Sequence, residues 1–144
     1  MSDDPHHLGR FVRAQEDVHD AALAELRRGR KSSHWMWFVF PQLTGLGRSA
    51  TAQRFAIDGL AEARAYLAHP VLGPRLLEAT AAAASAPARS ADDLLGGVDA
   101  LKLRSSMTLF ALAASDPAPF RAVLDRWYAG TDDPATVRLL HLDD

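Results

Sequence analysis

The sequence contains no cysteine and no apolar run as long as a membrane-spanning helix requires. Without thiols there is neither a disulfide framework nor thiolate chemistry. A membrane helix needs about 20 consecutive apolar residues, so we expect no membrane association. The acidic start Met-Ser-Asp-Asp-Pro matches neither a signal peptide nor a lipidation site. We therefore expect a soluble protein of the cytoplasm.

Neither sign of charge dominates, because 16 Lys and Arg residues face 18 Asp and Glu residues. A general nucleic-acid binder is usually basic across its domain, so we do not expect that function. The sequence identifies no protein partner. A length of 144 residues favours one domain with one core. We assign residues 1–7 to a disordered or loosely attached tail and residues 8–144 to a single α-helical domain.

The apolar residues recur at the spacing of helices rather than of strands. Between Leu8 and Leu26 they return every three or four positions, which predicts one long helix that Gly29 ends. Ser49 and Ser90 are predicted N-caps of short helices, and a further helix is predicted over 60–68. No strand pair with a hairpin turn is evident. The predicted fold is all-α, a compact multihelical single domain of seven or eight helices of uneven length.

Aromatic residues are only 8% of the chain, yet four of them lie within six positions of the segment His34-Trp-Met-Trp-Phe-Val-Phe40. Trp35 or Trp37 could form the wall of a site for a flat ligand, with Gln42 as a polar partner. His34 is the candidate for proton transfer, because imidazole titrates near neutral pH. The alternative is that the whole segment is core and that His34 caps a helix or bonds within the core.

Three short motifs place hydroxyl groups beside a cation, and together they suggest an anion site. The hydroxyls and cations in them, which suit a phosphate or carboxylate, are Lys31, Arg48, Ser49, Lys102, Arg104, Ser105 and Ser106. Asp99 is the predicted N-cap of a helix over 100–114, which would put Lys102 in the first turn, against the helix dipole. The alternative is that Lys102 only pairs with Asp99 or Asp93 and that residues 45–50 are a plain turn.

The six histidines show no metal-binding spacing, so we predict no metal site and no cofactor. His6 and His7 fall in the predicted tail, and together with His19 they match no recognised motif.

Five segments of the chain together resemble one protein family. They are Lys31–Phe38, Phe40–Leu43, Gly45–Ser49, Ala65–Leu76 and Leu101–Phe110. Through them the chain resembles the domain of unknown function 1810 family from Leu8 to Leu140. The resemblance implies a compact multihelical domain. It implies no activity, since that family is uncharacterised.

Three functions are compatible with these motifs. The first is a site for a phosphorylated or nucleotide-like small molecule, with or without catalysis. The second is a protein-interaction module without catalysis, in which the aromatic segment is core and residues 27–31 contact the partner. The third and weaker alternative is a hydrolase of nucleotide-sugar N-glycosidic bonds, for which Asp99 is the one carboxylate among the motifs.

Overall fold

The fold is that of a computed structural model, which describes residues 4–142 except for the side chain of Leu142. Within this range the chain forms ten helices and no strand, so the all-α prediction is confirmed. In chain order the helices are α1 (Gly9–Glu16), α2 (His19–Arg28), α3 (Met36–Val39), α4 (Ala50–Arg54), α5 (Leu60–Ala68), α6 (Leu72–Ala84), α7 (Ala91–Leu95), α8 (Gly97–Ala113), α9 (Ala118–Tyr128) and α10 (Pro134–Leu142).

The number of helices exceeds the seven or eight predicted, in part because the expected long helix from Leu8 is two helices. At Asp17 and Val18 the chain bends, and the Val18 N–H bonds the carbonyl of Gln15 at 3.1 Å. The bend lets α1 lie beside α3 while α2 packs on α6. The apolar pattern of the sequence is continuous through this bend and therefore does not reveal it. Tertiary packing imposes the change of direction.

The segment predicted as a tail is partly described. The Asp4 carboxylate accepts the backbone N–H groups of Leu8 at 2.6 Å and Gly9 at 2.8 Å. Arg10 donates to the carbonyl oxygens of His6 and His7. Residues 4–7 are thus hydrogen-bonded to the start of α1. Residues 1–3 of the predicted tail, and residues 143–144 of the predicted domain, lie outside the described residues.

The core is built around α8, which packs against α5, α7, α9 and α10. Leu103, Met107 and Phe110 on α8 have no exposed surface. The Phe110 ring lies 5.3 Å from the ring of Tyr66 on α5 and 5.9 Å from that of Phe120 on α9. The first two turns of α8 also carry Asp99 and Lys102, which contact the segment between α2 and α4. No helix within residues 4–142 has the length and apolar character needed to cross a bilayer.

Candidate functional site

A buried carboxylate of α2 holds the segment that leads into the aromatic residues. Glu25 accepts hydrogen bonds from the backbone N–H groups of Ser32 at 2.6 Å and Ser33 at 2.9 Å. It also accepts the Ser33 hydroxyl at 2.5 Å and the indole N–H of Trp35 at 3.0 Å. Burial would raise the pKa of Glu25, but these bonds to the carboxylate outweigh it and lower the pKa to about 2. Residues 32–35 are therefore fixed to α2 by an ionised side chain.

Two lysines, one at the start of this segment and one on α8, both contact a single carboxylate of α8. Lys31 Nζ lies 2.9 Å from Asp99 Oδ2, and Lys102 Nζ lies 3.0 Å from Asp99 Oδ1. The Lys102 ammonium also stands 4.0 Å from the ring centroid of Trp37, a cation–π distance. We call Lys31, Asp99, Lys102 and Trp37 the lysine cluster. Its two cations and one anion leave a surplus of one positive charge.

The charge state of Asp99 follows from these contacts. Partial burial would raise the pKa of this carboxyl, but the hydrogen bonds from Lys31 and Lys102 lower it below its ordinary value. The exposed fraction of the side chain is only 10% for Lys31, 18% for Asp99 and 19% for Lys102. Dissolved salt therefore screens the interactions among these charges less than it screens those between fully exposed charges. Asp99 therefore stays ionised at neutral pH as the shared anion of both lysines.

A polar pair extends the lysine cluster along α8. The Ser105 hydroxyl donates to the side-chain oxygen of Gln42 at 2.8 Å, and both residues are buried. The carbonyl of Gln42 accepts the Ile57 N–H at 2.8 Å, which ties this strand-like stretch to the chain after α4. The fold thus brings together five predicted site residues from two distant parts of the chain: Lys31, Trp37, Gln42, Lys102 and Ser105.

Trp35 does not have the position predicted for a ligand-stacking residue. It is 1% exposed, and its indole belongs to the core. Its N–H group is occupied by Glu25. Of the two predicted stacking residues, only Trp37 keeps exposed surface.

The predicted N-cap of the longest helix is also wrong. The helix begins at Gly97 with Gly96 as N-cap, so Asp99 lies in its first turn and Lys102 in its second. A carboxylate in the first turn is favoured by the helix dipole. Lys102 therefore has no conflict with the dipole to compensate, and its pairing with Asp99 is the alternative that the sequence left open.

Within the described residues, four other predicted site residues make no side-chain hydrogen bond or ion pair with the lysine cluster. Ser49 caps α4 by accepting the Ala52 N–H at 3.0 Å, as predicted, and Arg48 beside it is exposed. Arg104 donates to the Thr131 hydroxyl at 2.7 Å, so it serves the loop before α10. Ser106 is fully buried and its hydroxyl has no hydrogen-bond partner among the described residues.

His34, the predicted proton-transfer residue, is exposed at the start of the aromatic segment. Within residues 4–142 its side chain makes no hydrogen bond or ion pair. A catalytic histidine usually needs a partner that fixes its ring and tautomer. Its catalytic role thus stays a prediction, and the alternative of a core-bonded His34 is wrong.

Two features of the site were not predicted from the sequence: the role of Glu25, and the fact that only two of the basic residues are lysines. Glu25 falls among the apolar positions Ala22, Leu23 and Leu26 of α2, and an acid within such a stripe is the signal that could have revealed it. The chain has fourteen arginines and only two lysines, and both lysines contact Asp99. Because arginine is the prevailing cation in this chain, the two lysines stand out in the sequence. Their rarity was a second signal that could have pointed to this cluster.

Four surface grooves contain none of the four residues of the lysine cluster in their lining. Four grooves with volumes of about 680, 620, 430 and 590 Å³ are lined by other residues, among them Arg13, Arg54 and Leu112. In the described part of the chain, no group of three or more His, Asp or Glu side chains could hold a metal ion.

Comparison with known proteins gives two matches. A family described as "Protein of unknown function (DUF1810)" matches residues 5–140. The crystal structure of the conserved hypothetical protein Rv1873 from Mycobacterium tuberculosis at 1.38 Å is similar, with 51% sequence identity and a TM-score of 0.93. That match covers 96% of this chain and 99% of the other. No curated protein matches the chain.

Proposed function

Since this chain belongs to the DUF1810 family, whose description assigns no activity, we propose its function from the geometry of the lysine cluster. The proposed function is the binding of a phosphorylated or nucleotide-like small molecule beside Trp37. The cluster would recognise the anionic group, and the half-buried indole would contact a planar part of the ligand.

The observation that carries this proposal is the pairing of both lysines with one carboxylate. Asp99 neutralises one ammonium group, so an anion that approaches Lys31 and Lys102 meets a net positive charge. Lysine is a frequent ligand of phosphate, which it contacts as a compact charge with three donors. The Glu25 bonds hold residues 32 and 33 in place before any ligand arrives, which lowers the entropy cost of binding.

Trp37 gives the site its aromatic component. Its ring face is occupied by the Lys102 ammonium, and a Cβ on Gly47 would lie 3.3 Å from the indole edge. A ligand that draws Lys102 toward its phosphate would therefore also free part of the indole face. The exposed Arg48, which follows Gly47, would supply a further cation, and the exposed His34 would supply a further donor.

The weaker alternative, hydrolysis of an N-glycosidic bond, receives less support from these contacts. Most glycosidases use two carboxyl groups, one of which must transfer a proton. In the described region of the site, Glu25 accepts four hydrogen bonds and Asp99 contacts two ammonium groups. Neither carboxylate is disposed to act as a general acid.

An interaction module remains a second candidate because of one apolar surface. Val98 and Leu101, three residues apart on α8 and adjacent to Lys102, are 70% and 66% exposed. Arg27, Arg28 and Arg30 are exposed as well. Large exposed apolar side chains beside charged residues are found at protein contacts. In this alternative the lysine cluster holds the segment after α2 to α8 without a ligand.

A thermal-shift assay against nucleotides and sugar phosphates tests the proposed function. At a concentration of 100 times its Kd, a ligand adds about 2.7 kcal/mol to the stability, which is easily detected. We expect ADP or ribose 5-phosphate to raise Tm, and Lys31→Met or Lys102→Met to abolish that rise. Arg89→Gln, an exposed charge outside the cluster, is the control. No rise with any nucleotide or sugar phosphate would favour the interaction module.

The Asp99→Asn variant gives a sharper prediction. Removing the shared anion raises the charge of the lysine cluster by one unit, so we expect ADP to bind about 3- to 10-fold more tightly. Titration calorimetry at fixed ionic strength measures the change. Asp93→Asn, on α7, changes the net charge of the protein equally and should leave the affinity unaltered. Weaker binding by Asp99→Asn would mean that the lysines do not contact the anion.

A further inference from the structure

Three arginines line a groove between α1 and α4 that contains no residue of the lysine cluster. Arg10 and Arg13 of α1 and Arg54 of α4 line it, together with the hydroxyl-bearing Thr51. Within each helix the polar lining residues are three positions apart, so each helix presents one ridge to the groove. We call this the arginine groove. Its volume of about 620 Å³ is within the range of small-molecule sites.

In one of the three arginines, Arg10, every guanidinium nitrogen already donates a hydrogen bond within the fold. Arg10 donates to the carbonyl oxygens of Arg54 and Ala56, each at 2.8 Å, and to Glu62 at 2.9 Å. Its remaining nitrogen donates to the carbonyls of His6 and His7. Arg10 therefore joins α1 to the end of α4 and forms the fixed back of the groove.

Arg13 and Arg54 have no such partners. In the described part of the chain, neither guanidinium takes part in a hydrogen bond or ion pair, and both side chains are exposed. Arg54 lies with its Cζ 5.3 Å from the ring centroid of Phe55. A Cβ on Gly9 would lie 3.0 Å from Arg13 Nη1 and 3.2 Å from an Asp4 carboxylate oxygen. That carboxylate accepts two backbone N–H groups, and the lining of the groove contains no acid.

The remaining lining is apolar and partly aromatic. The rings of Phe38 and Phe55 meet edge to face, with centroids 4.8 Å apart. Ala14 and Ala50 leave the space between the two helices open. Guanidinium groups bind carboxylates and phosphates with two parallel hydrogen bonds, and aromatic walls favour a planar or apolar group next to the anion.

We propose that the arginine groove binds a small organic anion, a phosphate monoester or carboxylate that carries an aromatic group. Arg13 and Arg54 contact the anionic group, Thr51 donates to it, and the aromatic part lies against Phe38 and Phe55. Arg10 is paired with Glu62, whereas Arg13 and Arg54 form no ion pair in the described part of the chain, so their like charges repel each other when the groove is empty. A bound anion removes that repulsion.

Titration calorimetry at low ionic strength tests this site with phenyl phosphate, phenylacetate and inorganic phosphate. We expect the two aromatic anions to bind at least 10-fold more tightly than inorganic phosphate. The tighter of the two identifies the anionic group. Arg54→Gln and Arg13→Gln should each weaken that binding at least 10-fold. Arg138→Gln, an exposed arginine of α10, is the matched control and should bind like the parent protein.

The experiment separates this site from the lysine cluster. Lys102→Met should leave the binding of phenyl phosphate unchanged while it abolishes the nucleotide effect. Far-UV circular dichroism establishes that each variant is folded, which is expected because Arg13 and Arg54 are exposed. Equal affinity of Arg54→Gln and the parent protein, or no preference for the aromatic anions over inorganic phosphate, would overturn the proposal.

Discussion

At the residue scale, two carboxylates organise the region between α2 and α8. Glu25 accepts from the backbone and side chains of residues 32–35, whereas Asp99 holds the two lysines of the chain. Both carboxyl groups have a lowered pKa, because in each case hydrogen bonds to the charged form outweigh burial. One carboxylate therefore fixes the backbone of the site, and the other sets its charge.

Glu25 predicts a pH dependence of stability. Because its pKa is lowered to about 2 in the folded protein, its contribution is complete above its ordinary pKa of 4.5 and is lost as the pH falls toward 2. We expect Glu25→Gln to cost about 2–3 kcal/mol at pH 7, since an amide cannot accept all four bonds. Urea unfolding at pH 7, 4.5 and 3 should show the difference between parent and variant shrinking below pH 4.5.

Glu16→Gln provides the control for this measurement, because Glu16 is exposed at the end of α1. It should change stability by no more than about 0.5 kcal/mol. A difference for Glu25→Gln that stays constant between pH 7 and pH 3 would show that Glu25 does not stabilise the segment as an ionised group.

At the scale of the elements, the connection from α2 to the site depends on one glycine. Gly29 ends α2 with a φ of 86°, and a Cβ there would lie 2.5 Å from the carbonyl oxygen of Pro87. The left-handed turn lets the Lys31 N–H reach the carbonyl of Leu94 on α7 at 2.7 Å. The helix end, the loop before α7 and the lysine cluster are thus held in one arrangement.

We expect Gly29→Ala to destabilise the protein by at least about 1 kcal/mol, the cost of a left-handed non-glycine residue, and by more if Pro87 must move. Gly97→Ala is the matched control. Gly97 starts α8, and a Cβ there meets no atom within 4 Å, so alanine should be neutral or stabilise by about 0.4–1 kcal/mol. Thermal unfolding of both variants measures the contrast. Equal effects would disprove the proposed role of Gly29.

At the scale of the whole molecule, α8 serves both the core and the lysine cluster. Its buried face, which includes Leu103 and Phe110, contacts four other helices, while Asp99 and Lys102 face the aromatic segment. Displacement of α8 would therefore disturb the packing and the lysine pair together. The packing of the core and the geometry of the lysine cluster are therefore coupled through one helix.

Two leucines of α8 test this arrangement. Leu103 is fully buried and Leu101 is 66% exposed. We expect Leu103→Ala to cost about 3 kcal/mol through lost burial and the cavity left behind. Leu101→Ala should change stability by less than about 0.5 kcal/mol. Chemical denaturation of the two variants gives both values. Similar losses for the two leucines would contradict the placement of α8.

Local signals of the sequence were sufficient for several elements. The helix over 60–68, the N-caps Ser49 and Ser90 and the end of α2 at Gly29 agree with the structure. Each depends on a contact within about four residues, such as a hydroxyl that accepts a nearby N–H group. The start of α8 was misplaced because Asp99 is compatible with both an N-cap and a first-turn position.

The sequence by itself determined the all-α class, several helix ends and the residues from which a cationic site could be built. Only the tertiary structure decided that Lys31 and Lys102 share Asp99, that Trp35 is core while Trp37 is not, and that Arg104 turns away. Helix class follows from short-range periodicity, whereas charge pairing and burial depend on how distant helices pack. Spacing along one chain does not contain that information.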